Sequence, residues 1–280
     1  MTNQARTAVR LPGPDIQASI ARFTIGFVEK LEDETIVSRG SGTLVRIGKL
    51  AGVLTCSHVI EQIMKATKIG FLCFSVRPEQ TQATMIETSL LEPPLSIGSR
   101  PWTSDGPDLG FVRLPDRFMP TLEALASVLD LRKQADERDR AGPKGTFQGE
   151  VLCGVIAEFA FASTVEEHTS KMIFPGFIVP GQVCALPEID GYDRLAFHPP
   201  NVFDDGTQPH SYAGTSGGSL WRVWVEQSED GGTRLAERRL LGVPYYETEL
   251  SPDKSRSIVS HGPQSIYERL LPAIRKRWPL

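Results

Sequence analysis

Short apolar runs of strand length, broken by glycine, proline and other turn-forming residues, recur along almost the whole of this 280-residue chain. From about Ala21 to Leu114 they read "ARFTIGFVE", "TIVSRG", "SGTLVRIG", "GVLTC", "FLCFSV", "TMIETSLL" and "DLGFVRL". They resume after Gly145 as "TFQGEVLCGVIAE", "KMIFPGFIVPGQVCAL", "DRLAFH", "SLWRVWVE", "RRLLGVPYYE" and "SIVS". In "LWRVWVE", Trp221, Val223 and Val225 alternate with Arg222 and Trp224, a period of two that puts one set on one face of a strand. Runs this short, punctuated by 25 glycines and 21 prolines, predict a mostly β chain built as small barrels or sandwiches.

Three segments depart from that rhythm. "SHVIEQIMKAT" predicts a short helix, with Ser57 placed to cap it. Pro120 to Gly145 is charged, spaces Leu122, Leu125, Leu129 and Leu131 as a helix would, and ends in glycine and proline. It reads as a solvated amphipathic helix bridging two halves. "PQSIYERLLPAIRKRW" puts Ile266, Leu270 and Ile274 on one helical face. The expected organisation is an N-terminal β lobe over residues 1–118, a helical linker over 119–147, and a C-terminal β lobe over 148–280 that ends in a helix.

Composition narrows the function classes. The chain is 40% hydrophobic and 23% charged, with a formal net charge of -4. Only "IRKRW" is locally basic, so no nucleic-acid partner is expected. No run has the length of a transmembrane helix, and "MTNQARTAVRLPGPD" lacks the apolar core of a secretory signal, so neither membrane nor export is expected. Cys56, Cys73, Cys153 and Cys184 form no C-x-x-C pair and no dense framework, which suits buried free thiols in a reducing compartment. The expected location is the cytoplasm, with no cofactor and no metal.

Chemistry concentrates around "YAGTSGGSLW", where Ser216 stands among Gly214, Gly217 and Gly218. A serine hydroxyl is a weak nucleophile unless a base lies within hydrogen-bond reach and a third group orients that base. Of the five histidines, His58 comes immediately after the apolar strand "GVLTCS" and begins a helical turn. His168 lies in a polar loop, His198 and His210 stand beside prolines or turn residues, and His261 precedes Gly262. Asp108 stands immediately before the apolar strand "LGFVRL". A nucleophile elbow of the α/β-hydrolase type, with His261 and Asp230 or Asp253, would also accommodate G-x-S-x-G. That elbow requires a helix after the serine, whereas "GGSLWRVWVE" has the period of a strand, so the esterase alternative is rejected.

His58, Asp108 and Ser216 occur in the order of the chymotrypsin-type triad, and their local strings resemble that family. "GSGTLV" with "GVLTCSHVI" resembles its histidine segment, "DLGFVRL" its aspartate strand and "GTSGGSL" its serine loop. The resemblance runs from about Ile25 to the C-terminal helix. It implies a chymotrypsin-like double β-barrel and a serine endopeptidase acting on protein or peptide substrates, similar to intracellular bacterial members, some of which stand beside stress or defence modules. Ser216 would be the nucleophile, His58 the base and Asp108 its orienter, with the N–H groups of Gly214 and Ser216 as the oxyanion hole. Two departures from the family stand out. Cys56 has no neighbouring cysteine for the usual disulfide beside the histidine. Thr215 replaces the aspartate that pairs with a freshly cut N-terminus, which leaves control to an activating partner protein or a conformational signal. The resemblance places the floor of the specificity pocket at His210 and Ser211 and its wall at Tyr245 and Tyr246, with Glu247 at the rim. From another class, the alternative is a catalytically idle scaffold that binds a partner protein.

Overall fold

Two β lobes account for nearly all of the computed structural model, which describes residues 13–74, 82–166, 169–173, 176–200, 209–228, 231–251 and 255–279. In the first, β1 (Thr24–Lys30), β2 (Ile36–Ile47), β3 (Leu50–Thr55), β4 (Lys68–Cys73), β5 (Gln82–Glu87), β6 (Leu95–Ile97) and β7 (Leu109–Arg113) form one sheet. Its order is β5-β4-β1-β2-β3-β7-β6, and the two-residue β8 (Leu129–Asp130) runs parallel beside β2. The second lobe contributes β9 (Phe147–Val155), the side hairpin of β10 (Phe161–Glu166) and β11 (Thr169–Ile173), β12 (Gly176–Ile189), β13 (Tyr192–His198), β14 (Ser219–Gln227), β15 (Thr233–Glu247) and β16 (Ile258–His261). There β12-β13-β16-β15-β14-β9 close into a barrel, which leaves no free edge. This mostly β arrangement of two sheets with a C-terminal helix is the one the sequence implied.

The period of two explains why these segments are strands. On β14, Trp221 and Val223 are buried in the main core, and Phe23 lies 5.6 Å from the Trp221 ring. Removing a ring of that size from water stabilises by about 3 kcal/mol. Trp224, on the other face, is covered as well, by the Arg239 guanidinium 4.5 Å above it. One core cluster runs through both lobes, joining Phe27, Phe71 and Phe111 of the first to Val151, Trp221 and Leu240 of the second. A smaller cluster of Leu152, Val179, Phe197, Leu220 and Ile258 fills the closed barrel.

The helices tie the lobes together. α1 (Pro14–Ala21) belongs to the first lobe in sequence, yet it packs on β9, β12 and β15. α5 (Leu271–Arg277) follows a wider-pitched turn, Ser265–Leu270; the turn carries Ile266 and Leu270 into the core and α5 carries Ile274, as expected. Pro272 has no N–H to offer the preceding turn, which suits the irregular pitch there. Trp278 then meets Phe111 of the first lobe edge-on at 5.6 Å and donates to Glu92 at 2.7 Å.

Three sequence expectations need correction. The stretch from Pro120 to Gly145 is not one helix but two, α3 (Met119–Leu125) and α4 (Leu131–Glu137). Ala126 is extended, Ser127 donates to the Arg22 carbonyl, and Asp130 restarts the helix by accepting from the N–H groups of Arg132 and Lys133. Nor is it a solvated bridge, since Leu122, Leu129 and Leu131 are buried. Ser57 does not cap α2 (Ser57–Ile63). Cys56 holds the cap position, while Ser57 Oγ donates to Leu109 O at 2.9 Å and accepts from Ile97 N at 3.1 Å. The cysteines are free, but Cys184 is exposed; only Cys56, Cys73 and Cys153 are buried.

Candidate active site

His58 sits at the second residue of α2, and Asp108 directly precedes β7, whose partner β3 leads into that helix. The β3–β7 pairing therefore brings the two residues together. Asp108 Oδ1 accepts from the His58 backbone N–H at 3.0 Å, and Oδ2 meets His58 Nδ1 in a short contact. Asp108 is 1% exposed, while the His58 side chain is half-buried. A carboxylate this deep is tolerable only because both oxygens are partnered. Holding Nδ1–H also directs Nε2 outward, away from the aspartate.

Ser216 comes from the second lobe, on the loop before β14. It lines one cavity of about 300 Å³ with His58, Gly214, Ala213, Ala157, Gly40 and Gln62. No hydrogen bond joins Ser216 Oγ to His58 among the described residues, and such contacts characteristically tighten only when substrate arrives. The loop's backbone is more fully specified. The N–H groups of Gly214 and Ser216 donate to no acceptor among the described residues. Each belongs to a peptide whose carbonyl is pinned: Ala213 O accepts from Ala157 N, and Thr215 O from Gly218 N, both at 2.9 Å. In a trans peptide N–H and C=O point opposite ways, so fixing the two carbonyls fixes the directions of the two free donors.

Glycine is required at two points of this loop. Gly214 has φ +97, where an added Cβ would lie 3.0 Å from Val155 O. Gly217 has φ +82, and its Cβ would fall 2.0 Å from Thr55 Oγ1. Both angles lie in the region that side chains disfavour. Gly217 also donates to Pro244 O at 2.7 Å, which ties the loop to β15.

Sequence reasoning missed two residues that support the site. Ser41 of β2 donates from Oγ to Gly214 O at 2.7 Å, accepts there from Val155 N at 2.9 Å, and donates its backbone N–H to Ser216 O at 2.8 Å. Its only sequence signal is a serine between Gly40 and Gly42 in mid-strand. His261 of β16 is wholly buried, and its Nε2 accepts the Asp108 backbone N–H at 2.9 Å. Burial pushes its pKa down to about 4, although Asp108 and Asp193 partly oppose the shift.

Cys56 Sγ, His58 and Asp108 also bring potential metal-ligand atoms within 4.8 Å of one another. Burial, reinforced by the Asp108 charge, raises the Cys56 thiol well above its ordinary pKa, and Sγ donates to Pro244 O at 3.0 Å. A protonated donor of this kind is not a thiolate ligand.

The four residues expected in the specificity pocket do not line this cavity. His210 is exposed, with its N–H on Glu158 at 2.7 Å. Ser211 Oγ donates to Glu247 at 2.6 Å, and Glu247 further accepts from Tyr212 N and from Arg256, both at 3.1 Å. Glu247 is thus occupied rather than a free rim charge. Tyr246 packs on the main core. Tyr245 is buried behind Asp108, with its hydroxyl donating to Ser104 O at 2.6 Å, and burial pushes that phenol up to about 12. As for the rejected elbow, Ser216 leads into strand β14, His261 is engaged with Asp108, and Asp230, Asp253 and His168 lie outside the described residues.

No protein-family model matches the chain, and no curated protein matches it. Among solved structures it is similar to HL collagenase, at 13% identity over 94% of this chain and 96% of that one, with a TM-score of 0.46. It is also similar to a chain from work on the coupled folding and binding of the Sesbania mosaic virus VPg protein. That match has 14% identity over 88% of this chain and 95% of that one, with a TM-score of 0.40. Among the described residues, no helix is long and apolar enough to cross a membrane.

Proposed function

We propose that the protein is a serine endopeptidase of the trypsin-like type, with Ser216 as nucleophile, His58 as general base and Asp108 as the group that orients it. One observation carries the reading: the imidazole held by the buried Asp108 shares a cavity with a serine whose loop also has two N–H groups that no described protein acceptor takes. An idle scaffold has no use for a serine, a base and two donors without a protein acceptor gathered at one cavity.

In this mechanism Ser216 Oγ attacks the carbonyl carbon of the scissile peptide as its proton passes to His58 Nε2. The imidazolium that forms is stabilised by Asp108 through Nδ1–H. Negative charge gathers on the former carbonyl oxygen, where the N–H groups of Gly214 and Ser216 receive it. One such donor contributes about 3 kcal/mol in the transition state. Collapse of the tetrahedral species breaks the C–N bond, and His58 Nε2–H protonates the departing amine. Water, deprotonated by the same nitrogen, then hydrolyses the acyl-serine and restores the enzyme.

The test is labelling of the intact protein with a fluorophosphonate probe and mapping of the adduct by mass spectrometry. The expected result is a single adduct on Ser216, absent in S216A and H58A, together with cleavage of a peptide library by the wild type. Labelling that persists in S216A would refute the assignment. An unlabelled, folded wild type would favour the partner-binding scaffold.

A further inference from the structure

His261 performs no step of that mechanism, yet its surroundings are unusually specified. It lies at the end of β16 with no exposed surface. Its ring stacks on Tyr245, centroids 4.3 Å apart and planes 15° apart, and meets Tyr192 edge-on at 6.0 Å. To accept the Asp108 N–H, Nε2 must be unprotonated, so the proton of the neutral ring resides on Nδ1. Nδ1 has no hydrogen-bond partner and is buried, which costs about 1–3 kcal/mol. A side chain retained at that cost calls for an explanation.

The explanation lies in where Asp108 sits. The chain between β6 and β7 reaches Asp108 through an irregular loop, and the second lobe grips that loop at several points. Arg194 Nη1 donates to Ser104 O at 2.9 Å and to Asp105 at 3.2 Å, and Tyr245 donates to the same Ser104 carbonyl. His261 is the last of these holds, and it acts on the backbone of the acid itself.

We infer that His261 is a positioning residue. Its neutral imidazole receives the Asp108 N–H and so fixes the rotation of the Asp108 backbone, from which the carboxylate reaches His58. This inference rests on the peptidase reading for its effect on rate, and on geometry alone for its effect on the His58–Asp108 bond.

The test compares full-length wild type with H261F, which keeps an aromatic ring against Tyr245 but offers no acceptor, and with H261Q, which keeps an acceptor and loses the ring. Two quantities are read: the rate of fluorophosphonate labelling at Ser216, and the proton NMR resonance of His58 Nδ1–H, assigned by its loss in H58A. The expectation for H261F is labelling at least tenfold slower with the resonance shifted or lost, and for H261Q recovery of most of both. A folded H261F with wild-type rate and an unchanged resonance would overturn the inference, because packing alone would then account for His261. If the wild type takes no label, the peptidase reading fails separately and the resonance alone decides. If H261F does not fold, H261M replaces it against H261Q, and equal labelling rates in the two would likewise overturn the inference.

Discussion

Gly214→Ala tests one proposed oxyanion donor with a single methyl group. At φ +97 an alanine can respond in two ways. It can keep the native angles, at a strain of about 1–3 kcal/mol, with its Cβ 3.0 Å from Val155 O and 3.3 Å from Ala157 N. Or the peptide between Ala213 and Gly214 can rotate, which relieves both contacts. Rotation breaks the Ala157 N to Ala213 O hydrogen bond and turns the N–H of residue 214 away from the direction that bond fixes. The second route loses a donor that contributes about 3 kcal/mol in the transition state, equivalent to a rate loss of about 10²-fold at 1.4 kcal/mol per decade. The loop is tied elsewhere by the hydrogen bonds of Gly217 and Gly218, so the fold should survive. The assay is the pseudo-first-order rate of fluorophosphonate labelling at Ser216, run beside wild type and S216A, with circular dichroism to confirm folding. The expected result is a folded protein labelled about 10²-fold more slowly. Labelling within about threefold of wild type in folded G214A would refute the claim that the Gly214 N–H is an oxyanion donor.

Asp108→Asn preserves an acceptor for the His58 N–H but turns the imidazole to the wrong tautomer. Peptide cleavage should fall by about 10⁴-fold with little change in melting temperature, and a loss under tenfold would contradict the assigned role. Ser41→Ala strands Gly214 O and Val155 N, so it should destabilise by about 1–3 kcal/mol and slow labelling as well; an unchanged urea midpoint would argue against it. The depressed pKa of His261, about 4 against an ordinary 6.5, sets an acid limit to stability. Between those values the unfolded chain binds more protons at this site, so its contribution is complete above about pH 6.5 and lost as pH falls toward 4. With Asp108, Asp193 and Arg194 facing the ring, the loss amounts to about 2 kcal/mol by pH 5. H261Q should show a correspondingly flatter stability between pH 6.5 and 5 in urea titrations, and a slope identical to wild type would remove His261 as the cause.

The strands were legible because each writes its own period. "DLGFVRL" and "LWRVWVE" declare a buried face in seven residues, and β7 and β14 form where they stand. The candidate catalytic residues were legible for a related reason: each sits at the end of such a strand, in a string with few alternatives. Pro120–Gly145 misled because Leu122, Leu125, Leu129 and Leu131 satisfy a helical period that tertiary structure overrides. Ser127 is captured by Arg22 O, and Leu129 and Asp130 pair with β2, interactions that no local window contains. Ser41 and His261 were illegible for the same reason taken further. Their partners, Gly214 and Asp108, lie 173 and 153 residues away. Tyr245 was placed in a pocket wall because it follows "LGVP", where the resemblance puts that wall. A register irregularity between Pro244 and Tyr246 on β15 accompanies its burial against His261 instead.

Those long-range bonds share a direction that bears on control. His58 and Asp108 belong to one lobe, Ser216 and Gly214 to the other. Ser41 reaches across to Gly214 O, Ser216 O and Val155 N; Cys56 reaches Pro244 O; Thr24 bonds Ser219 at 2.9 Å; His261 reaches back to Asp108 N. Nearly all of these atoms are buried, where breaking a hydrogen bond without replacement costs more than forming it gains. Lobe docking and site geometry are therefore one equilibrium: a small relative shift that frees Ser41 releases Gly214 O and Ser216 O together. Thr215, where the sequence resemblance expects an aspartate, carries no charge for an ion pair. Its side chain instead donates to Tyr212 O at 2.8 Å, and Ser41, from the opposite lobe, holds the carbonyls on either side of it. A ligand that binds one docked arrangement of the lobes more tightly than another would therefore shift the geometry around Ser216 without touching it.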